Sequence, residues 1–208
     1  MNATDRHLLT SLAQVRAIIG DEVPVVRAKL FESLDETSVE FIGRAPFLLL
    51  ATNDPDGRPD VSPKGDEPGF VAVHDSRTLL IPDRKGNKLI FGLQNILANP
   101  RVALIFFVPG TEETLRVHGS AELTADPAIL EKLSARGQPA LLAIRVRVDA
   151  CFFHCAKAFK RSRLWQPESW PAKVRVSFGK LLARKLGGAA ELEGTIDRMI
   201  AEDYEKNL

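Results

Sequence analysis

Cysteine is almost missing from this chain: Cys151 and Cys155 are the only two among 208 residues. Two thiols cannot build the disulfide framework of a small secreted domain, so a reducing, cytoplasmic setting is expected. A charge of one sign is missing too. Lys and Arg number 28 against 27 Asp and Glu, a net charge of +1, which argues against a general nucleic-acid or membrane-surface binder. The longest strongly apolar run, residues 102–108, falls far short of the ~20 residues that span a membrane. The first twenty residues interleave Asp5, Arg6 and Arg16 with their apolar positions and lack the basic-then-apolar layout of a signal peptide. There is no GxGxxG, no P-loop and no CxxC pair, hence no motif for a Rossmann cofactor, a nucleoside triphosphate or a zinc ribbon. Repeats and low-complexity segments are absent as well. What is present, 45% hydrophobic and 26% charged residues, is enough for one soluble domain with helical appendages.

In chain order, Leu8, Leu9, Leu12, Val15, Ile18 and Ile19 recur at helical spacing after a possible N-cap at Thr4 or Asp5, with Gly20 at the end. Such a helix is expected to pack on the main domain. A linking segment with Pro24 follows, then a short helix over about residues 35–43. PFLLLATN (46–53) and the residues from Arg58 to Pro63 read as strands around an Asp-Pro-Asp-Gly turn. Residues 70–74 and 78–82 form the next pair. RVALIFFV (101–108) is so uniformly apolar that it reads as a strand buried on both faces. Over 115–124, Leu115, Val117, Gly119, Ala121 and Leu123 alternate with Arg116, His118, Ser120 and Glu122. Asp126-Pro127 opens a helix to about Arg136, and 142–149 alternates again. Two further helices are expected around 177–186 and 191–207. Six or seven short strands with one substantial inserted helix suggest an antiparallel barrel or sandwich rather than a βαβ sheet.

The stretch LLIPDRKGNKLIFGLQNILANP (79–100) gathers positive charge at one point. A strand runs into the turn Asp83-Arg84-Lys85-Gly86, and a helix is expected from near Asn87, with Leu89, Ile90, Leu93, Ile96 and Leu97 as its apolar stripe. An anchored helix N-terminus offers free N–H groups, to which Arg84, Lys85 and Lys88 add full charges, an arrangement suited to a phosphate. A solvated basic turn is the alternative. Lys64 joins this point if its strand lies alongside. Arg116, His118 and Ser120 form either a ligand-facing strand face or a solvent face paired with Arg145 and Arg147. Cys151, His154 and Cys155 cluster, but His7, His74 and His118 are scattered, so no metal site is expected. Both cysteines read as packing residues, the alternative being a thiol whose pKa Lys157 lowers. Trp165 and Trp170 stand among basic residues as a stacking element or a hydrophobic lid.

Taken in order over about residues 45–149, VSPKGDEPGF, TLLIPDRKGN, the helix ending in ANPRVALIFF, and TLRVHGSAEL resemble the pyridoxamine 5′-phosphate oxidase-like superfamily of FMN-binding split barrels. HCAKAFKRSRLW (154–165) resembles a subgroup of FMN-dependent enzymes without an assigned substrate. The resemblance implies a mainly β, α+β fold: an antiparallel FMN-binding split barrel with one inserted helix and peripheral N- and C-terminal helices. It divides the chain into an N-terminal helical segment packed on the barrel (1–44), a flavin-binding barrel (45–165) and a C-terminal helical extension (166–208). It also implies a homodimer with FMN at the interface. The cofactor residues it suggests are Lys64; Arg84, Lys85, Gly86 and Asn87 of the turn; Arg116; and Arg161, Ser162 and Trp165 of the subgroup motif, while Pro82 and Asp83 beside the turn and His118 on the Arg116 face join the candidates from the reading of the residues. Arg116 and Gly119 keep the family pattern, whereas Thr114 stands where the oxidase has a glutamine reaching the ring. Ile81-Pro82 replaces the oxidase's Tyr-Thr pair, and the tail ELEGTIDRMIAEDYEKNL replaces its arginine-rich motif, which points away from pyridoxamine phosphate as substrate.

The resulting expectation is an FMN-dependent oxidoreductase acting on a small molecule, with an electron donor such as NAD(P)H and no assigned catalytic residue. A flavin-binding or sensor protein without turnover, or a relative that binds deazaflavin or haem, is the alternative. No nucleic acid and no membrane enters the expected set of partners.

Overall fold

The structure is a computed structural model that describes residues 7–86, 88–174, 176–188 and 190–207. Seven strands pair antiparallel in one sheet: β1 (Phe47–Asn53), β2 (Pro59–Gly65), β3 (Ala72–Asp75), β4 (Thr78–Asp83), β5 (Arg101–Phe107), β6 (Thr114–Thr124) and β7 (Leu142–His154). Their order across the sheet is β2-β1-β5-β6-β7-β4-β3. Around them lie α1 (Leu12–Ile19), α2 (Pro24–Arg27), α3 (Glu36–Arg44), α4 (Phe91–Ala98), α5 (Pro127–Lys132), α6 (Lys157–Ser162), α7 (Phe178–Leu186) and α8 (Ala190–Lys206). The α+β class and the all-antiparallel sheet are as expected.

Alternation decides which side chains meet inside. Leu48 and Leu50 of β1, Leu104 and Phe106 of β5, Leu115 and Val117 of β6, and Ile144, Val146 and Val148 of β7 converge in one core. Each such side chain contributes about 2 kcal/mol by leaving water. β5 is not buried on both faces as its composition suggests. Val102, Leu104 and Phe106 point inward while Ala103, Ile105 and Phe107 stay partly exposed, because a curled antiparallel sheet has only one inner face. β7 runs to His154 rather than stopping near Asp149. A register shift opposite His118/Gly119 breaks its alternation, so the last third does not look like a strand in isolation. Cys151 on that extension exchanges both backbone hydrogen bonds with Phe31, tying the N-terminal segment to the sheet.

The helices also correct the sequence reading in places. Thr4 and Asp5 lie outside the described residues; α1 starts at Leu12, where Ser11 and Gln14 form a reciprocal capping box that leaves Leu8 and Leu9 before the helix. α1 has no buried residue, whereas α3, capped by Asp35, buries Ser38 and Ile42 against the barrel. Pro24 opens a single helical turn rather than a plain linker. α5 ends at Lys132, not near Arg136, because the chain then makes a tight reversal at 135–138. At the C-terminus, α7 and α8 pack on each other, with Ser177 Oγ and the Gly179 N–H donating to Asp197.

Candidate functional site

The flanks of the curled sheet meet on one side. Lys64, at the end of β2, places its Nζ 2.6 Å from Asp83 Oδ1 at the end of β4, so these strands do lie side by side at their ends. Between them and α4 opens a cleft of about 670 Å³. This volume lies within the range of small-molecule sites. Lys64, Pro82, Asp83, Arg84, Lys85 and Gly86 all line it, while Asn87 falls outside the described residues. The basic turn is thus part of a concave site rather than a loop in open solvent.

α4 begins at Phe91, four residues later than its periodicity suggests. Lys88 takes a left-handed backbone (φ 61°), which interrupts the helical path, and Leu89 and Leu97 of the expected stripe are exposed. Leu93 and Ile96 anchor the helix in the core, and Asn95 Nδ2 donates to Thr52 Oγ1 of β1 at 3.0 Å in a buried contact. The N-terminus still borders the cleft: Phe91, Gly92 and Leu93 line it, and the N-cap position, Ile90, makes no side-chain cap. Uncapped N–H groups at an anchored helix end carry partial positive charge.

Asp66, two residues beyond Lys64, organises the cations. Its carboxylate accepts from the Glu67 N–H at 3.0 Å, from Arg84 Nε at 2.9 Å and from Arg136 at 2.9 Å. The side chain is only 2% exposed. Arg84 therefore comes to the cleft with its Nε already held. Lys85 is exposed and makes no ion pair among the described residues. Nothing local in the sequence marks Asp66, because its partners lie 18 and 70 residues away; its adjacency to Lys64 in VSPKGDEPGF is the one available signal.

Burial pushes the Asp66 carboxyl up, but the Glu67 N–H, Arg84 and Arg136 outweigh it and hold it below the usual value of 3.8. A lowered native pKa gives stability that is complete above the unfolded value and is lost as pH falls through the native one. The difference in melting temperature between the native chain and Asp66→Asn is therefore expected to be constant near neutrality and to shrink below about pH 4. Thermal unfolding followed from about pH 6 to about pH 2.5 measures it. A difference that does not change with pH would refute the assignment.

The remaining expected residues lie elsewhere in the chain. Arg116 and His118 project from the outer face of β6 around Phe152, with the Arg116 guanidinium 6.0 Å from the ring centre and His118 edge-on at 5.6 Å. The Arg116 Nε is buried without a hydrogen-bond partner. Across the ladder Arg116 and His118 stand opposite Phe152 and Ala150, whereas Ser120, further along the same face, does stand opposite Arg147; Arg145 bonds Glu122 and Arg147 bonds Asp149. Trp165 stacks on Phe159 and donates to the Thr111 carbonyl at 2.8 Å; Arg161 and Ser162 sit at the exposed end of α6. None of these five lines the cleft of its own chain. Cys151 is buried, burial pushes its thiol up, and its Sγ donates to the Ser33 carbonyl, while Cys155 is exposed rather than packed. The described residues contain no group of three potential metal ligands, and no described helix is long and apolar enough to cross a membrane.

Several solved structures are similar to this chain over part of its length. A putative pyridoxamine 5′-phosphate oxidase from Lactobacillus delbrueckii is 27% identical, covering 59% of this chain and 95% of its own, with a TM-score of 0.45. An F420 reductase is 28% identical over 57% of this chain and 98% of its own, at a TM-score of 0.43. The FAD binding protein of Mycobacterium smegmatis is 17% identical over 60% and 97%, at 0.41. No curated protein matches the chain. Residues 34–155, more than half of the sequence and the whole of the antiparallel split barrel, match the family described as pyridoxamine 5′-phosphate oxidase, and the chain belongs to that family.

Proposed function

We propose that this protein is an FMN-dependent oxidoreductase that works as a homodimer, on a small molecule other than pyridoxamine phosphate. The observation that carries the reading is the convergence of Lys64, Arg84 and Lys85 with the uncapped end of α4 on one cleft. This donor set fits a phosphate monoester. Arg84 and Lys85 would hold the phosphate through charge-assisted hydrogen bonds, and Lys64, held by Asp83, would meet the phosphate or the ribityl chain. Gly86 would complete the turn, with Pro82 and Asp83 forming its wall; Asn87, the remaining candidate of this turn, lies outside the described residues.

When bound, FMN supplies two-electron redox chemistry at its ring, so the protein need only bind, orient and exclude water. That division of labour suits a cleft whose lining sets Lys64, Arg84, Lys85 and Lys88 beside carboxylates and apolar side chains. The dimer is supported by the outer face of the sheet. Phe47 of β1 and Val61 of β2 are exposed there, and the buried Arg116 Nε lacks an acceptor. FMN at a two-fold interface is the arrangement in which Arg116, His118, Arg161, Ser162 and Trp165 would reach a cofactor they do not reach within their own chain. A haem in this cleft is disfavoured, because no histidine lines it among the described residues.

The purified protein is expected to carry a yellow chromophore, or to acquire one from added FMN, and to release FMN on heating. Anaerobic addition of NADH or NADPH is expected to bleach it, with colour returning in oxygen or with a dye. A protein that stays colourless with FMN present would overturn the cofactor; one that binds FMN but resists reduction by either nucleotide would instead be a flavin-binding protein without this turnover.

A further inference from the structure

We propose that Arg136 is a positioning residue of the anion site, acting through Asp66 to keep Arg84 both aimed and electrostatically available to the phosphate of the cofactor. The inference rests on the FMN reading above and adds a residue outside the cleft lining to that site.

Arg136 reaches Asp66 from the connection between β6 and β7. Ala135 and Gln138 exchange both backbone hydrogen bonds at 2.9 Å, so Arg136 and Gly137 occupy the tip of a two-residue turn. Both have positive φ, 50° and 73°. Glycine or asparagine suits the first of these positions better than a long side chain does, so the backbone gives no reason for an arginine there. Its reach does: Nη1 lies 2.9 Å from Asp66 Oδ1, while Arg84 Nε holds Oδ2 on the other side.

The charge count shows what the second arginine changes. Asp66 is all but buried, and its negative charge alone would cancel that of Arg84, leaving a neutral pair with little pull on an anion. With Arg136 the cluster has two guanidinium groups to one carboxylate and keeps a net positive charge at the cleft. The Arg136 side chain is half exposed, so the excess charge costs little desolvation. The carboxylate, meanwhile, is anchored at both oxygens and by the Glu67 N–H, which fixes the Nε edge of Arg84 and leaves its two terminal nitrogens for a ligand. Arg136 itself needs no contact with the ligand.

Binding of FMN and of riboflavin, which lacks the phosphate, separates this role from a structural one. The FMN-to-riboflavin affinity ratio is measured for the native chain and for Arg136→Gln, Arg136→Lys and Arg84→Ala, each checked for folding by circular dichroism. Arg136→Gln keeps a hydrogen-bond donor and loses the charge; it is expected to lower the ratio about tenfold through FMN alone. Arg136→Lys is expected to restore most of it. Equal losses for both ligands, or an unchanged ratio in Arg136→Gln while Arg84→Ala collapses it, would overturn the role of Arg136 and leave the phosphate site standing. An unchanged ratio in Arg84→Ala would remove the phosphate assignment itself.

Discussion

Replacing Arg84 and Lys85 together by alanine is expected to weaken FMN binding by two to three orders of magnitude while the barrel stays folded. Hydrogen bonds to a charged partner contribute about 1.5–3 kcal/mol each, and at a turn open to solvent the lower end, about 1.5–2 kcal/mol, applies; losing both then costs about 3–4 kcal/mol, or roughly 10²–10³ in dissociation constant. The fold should tolerate the change because neither side chain belongs to the core. Lys85 is exposed, and the Asp66 carboxylate that Arg84 leaves behind keeps Arg136 and the Glu67 N–H. Some loss of stability is expected from Arg84, since a nearly buried carboxylate gives up one of two cations; Lys85→Ala alone should show none. Fluorescence titration with FMN, alongside a melting curve, reads both. Retention of FMN at native affinity by a folded double variant would show that the basic turn does not hold the phosphate.

How much of this was legible in the sequence follows the range of the interactions. β6 could be read residue by residue, because Leu115, Val117, Gly119 and Ala121 really do face the core and the intervening polar residues face out. The turn at 83–86 could be read because its charges are consecutive. The start of α4 is not legible, since KLIFGLQNILA has continuous apolar periodicity and nothing in it announces the left-handed Lys88. The second half of β7 is not legible as a strand because it loses alternation at a register shift in its pairing with β6, which no single segment records. The Lys64–Asp83 and Asp66–Arg84–Arg136 contacts were invisible for the same reason: they exist only once the sheet has curled and brought its flanks together. Lys64, Asp83, Arg84 and Lys85 are thus legible as candidates, whereas the pairing of Lys64 with Asp83 and the part played by Asp66 and Arg136 are not.

Gly119→Ala tests the other end of that reasoning, where a residue kept for its family pattern acquires a physical reason. Gly119 lies in β6 where the pairing with β7 shifts register, next to His118. Its φ is not in the left-handed region, so the requirement is space and not backbone freedom. A Cβ built there would collide with the Arg147 carbonyl oxygen and stand 3.3 Å from a Val146 methyl. A carbonyl in the middle of a ladder cannot swing aside as a flexible side chain would. Either β6 and β7 separate locally, breaking backbone hydrogen bonds in the longest strand pair of the sheet, or the register shift moves and carries Arg116 and His118 off their face. Overpacking of this kind costs about 3 kcal/mol or more, a large share of the stability of a single domain. In a chain of this length that corresponds to a fall of roughly 6–12 °C in melting temperature. The same methyl group at Gly57, where no atom lies within 4 Å but φ is 80°, strains only a surface turn and is expected to cost about 1 kcal/mol. Melting curves of the two variants in parallel make the comparison. If Gly119→Ala melted within a degree or two of the native chain, the close approach of the two strands would not be what holds this position to glycine.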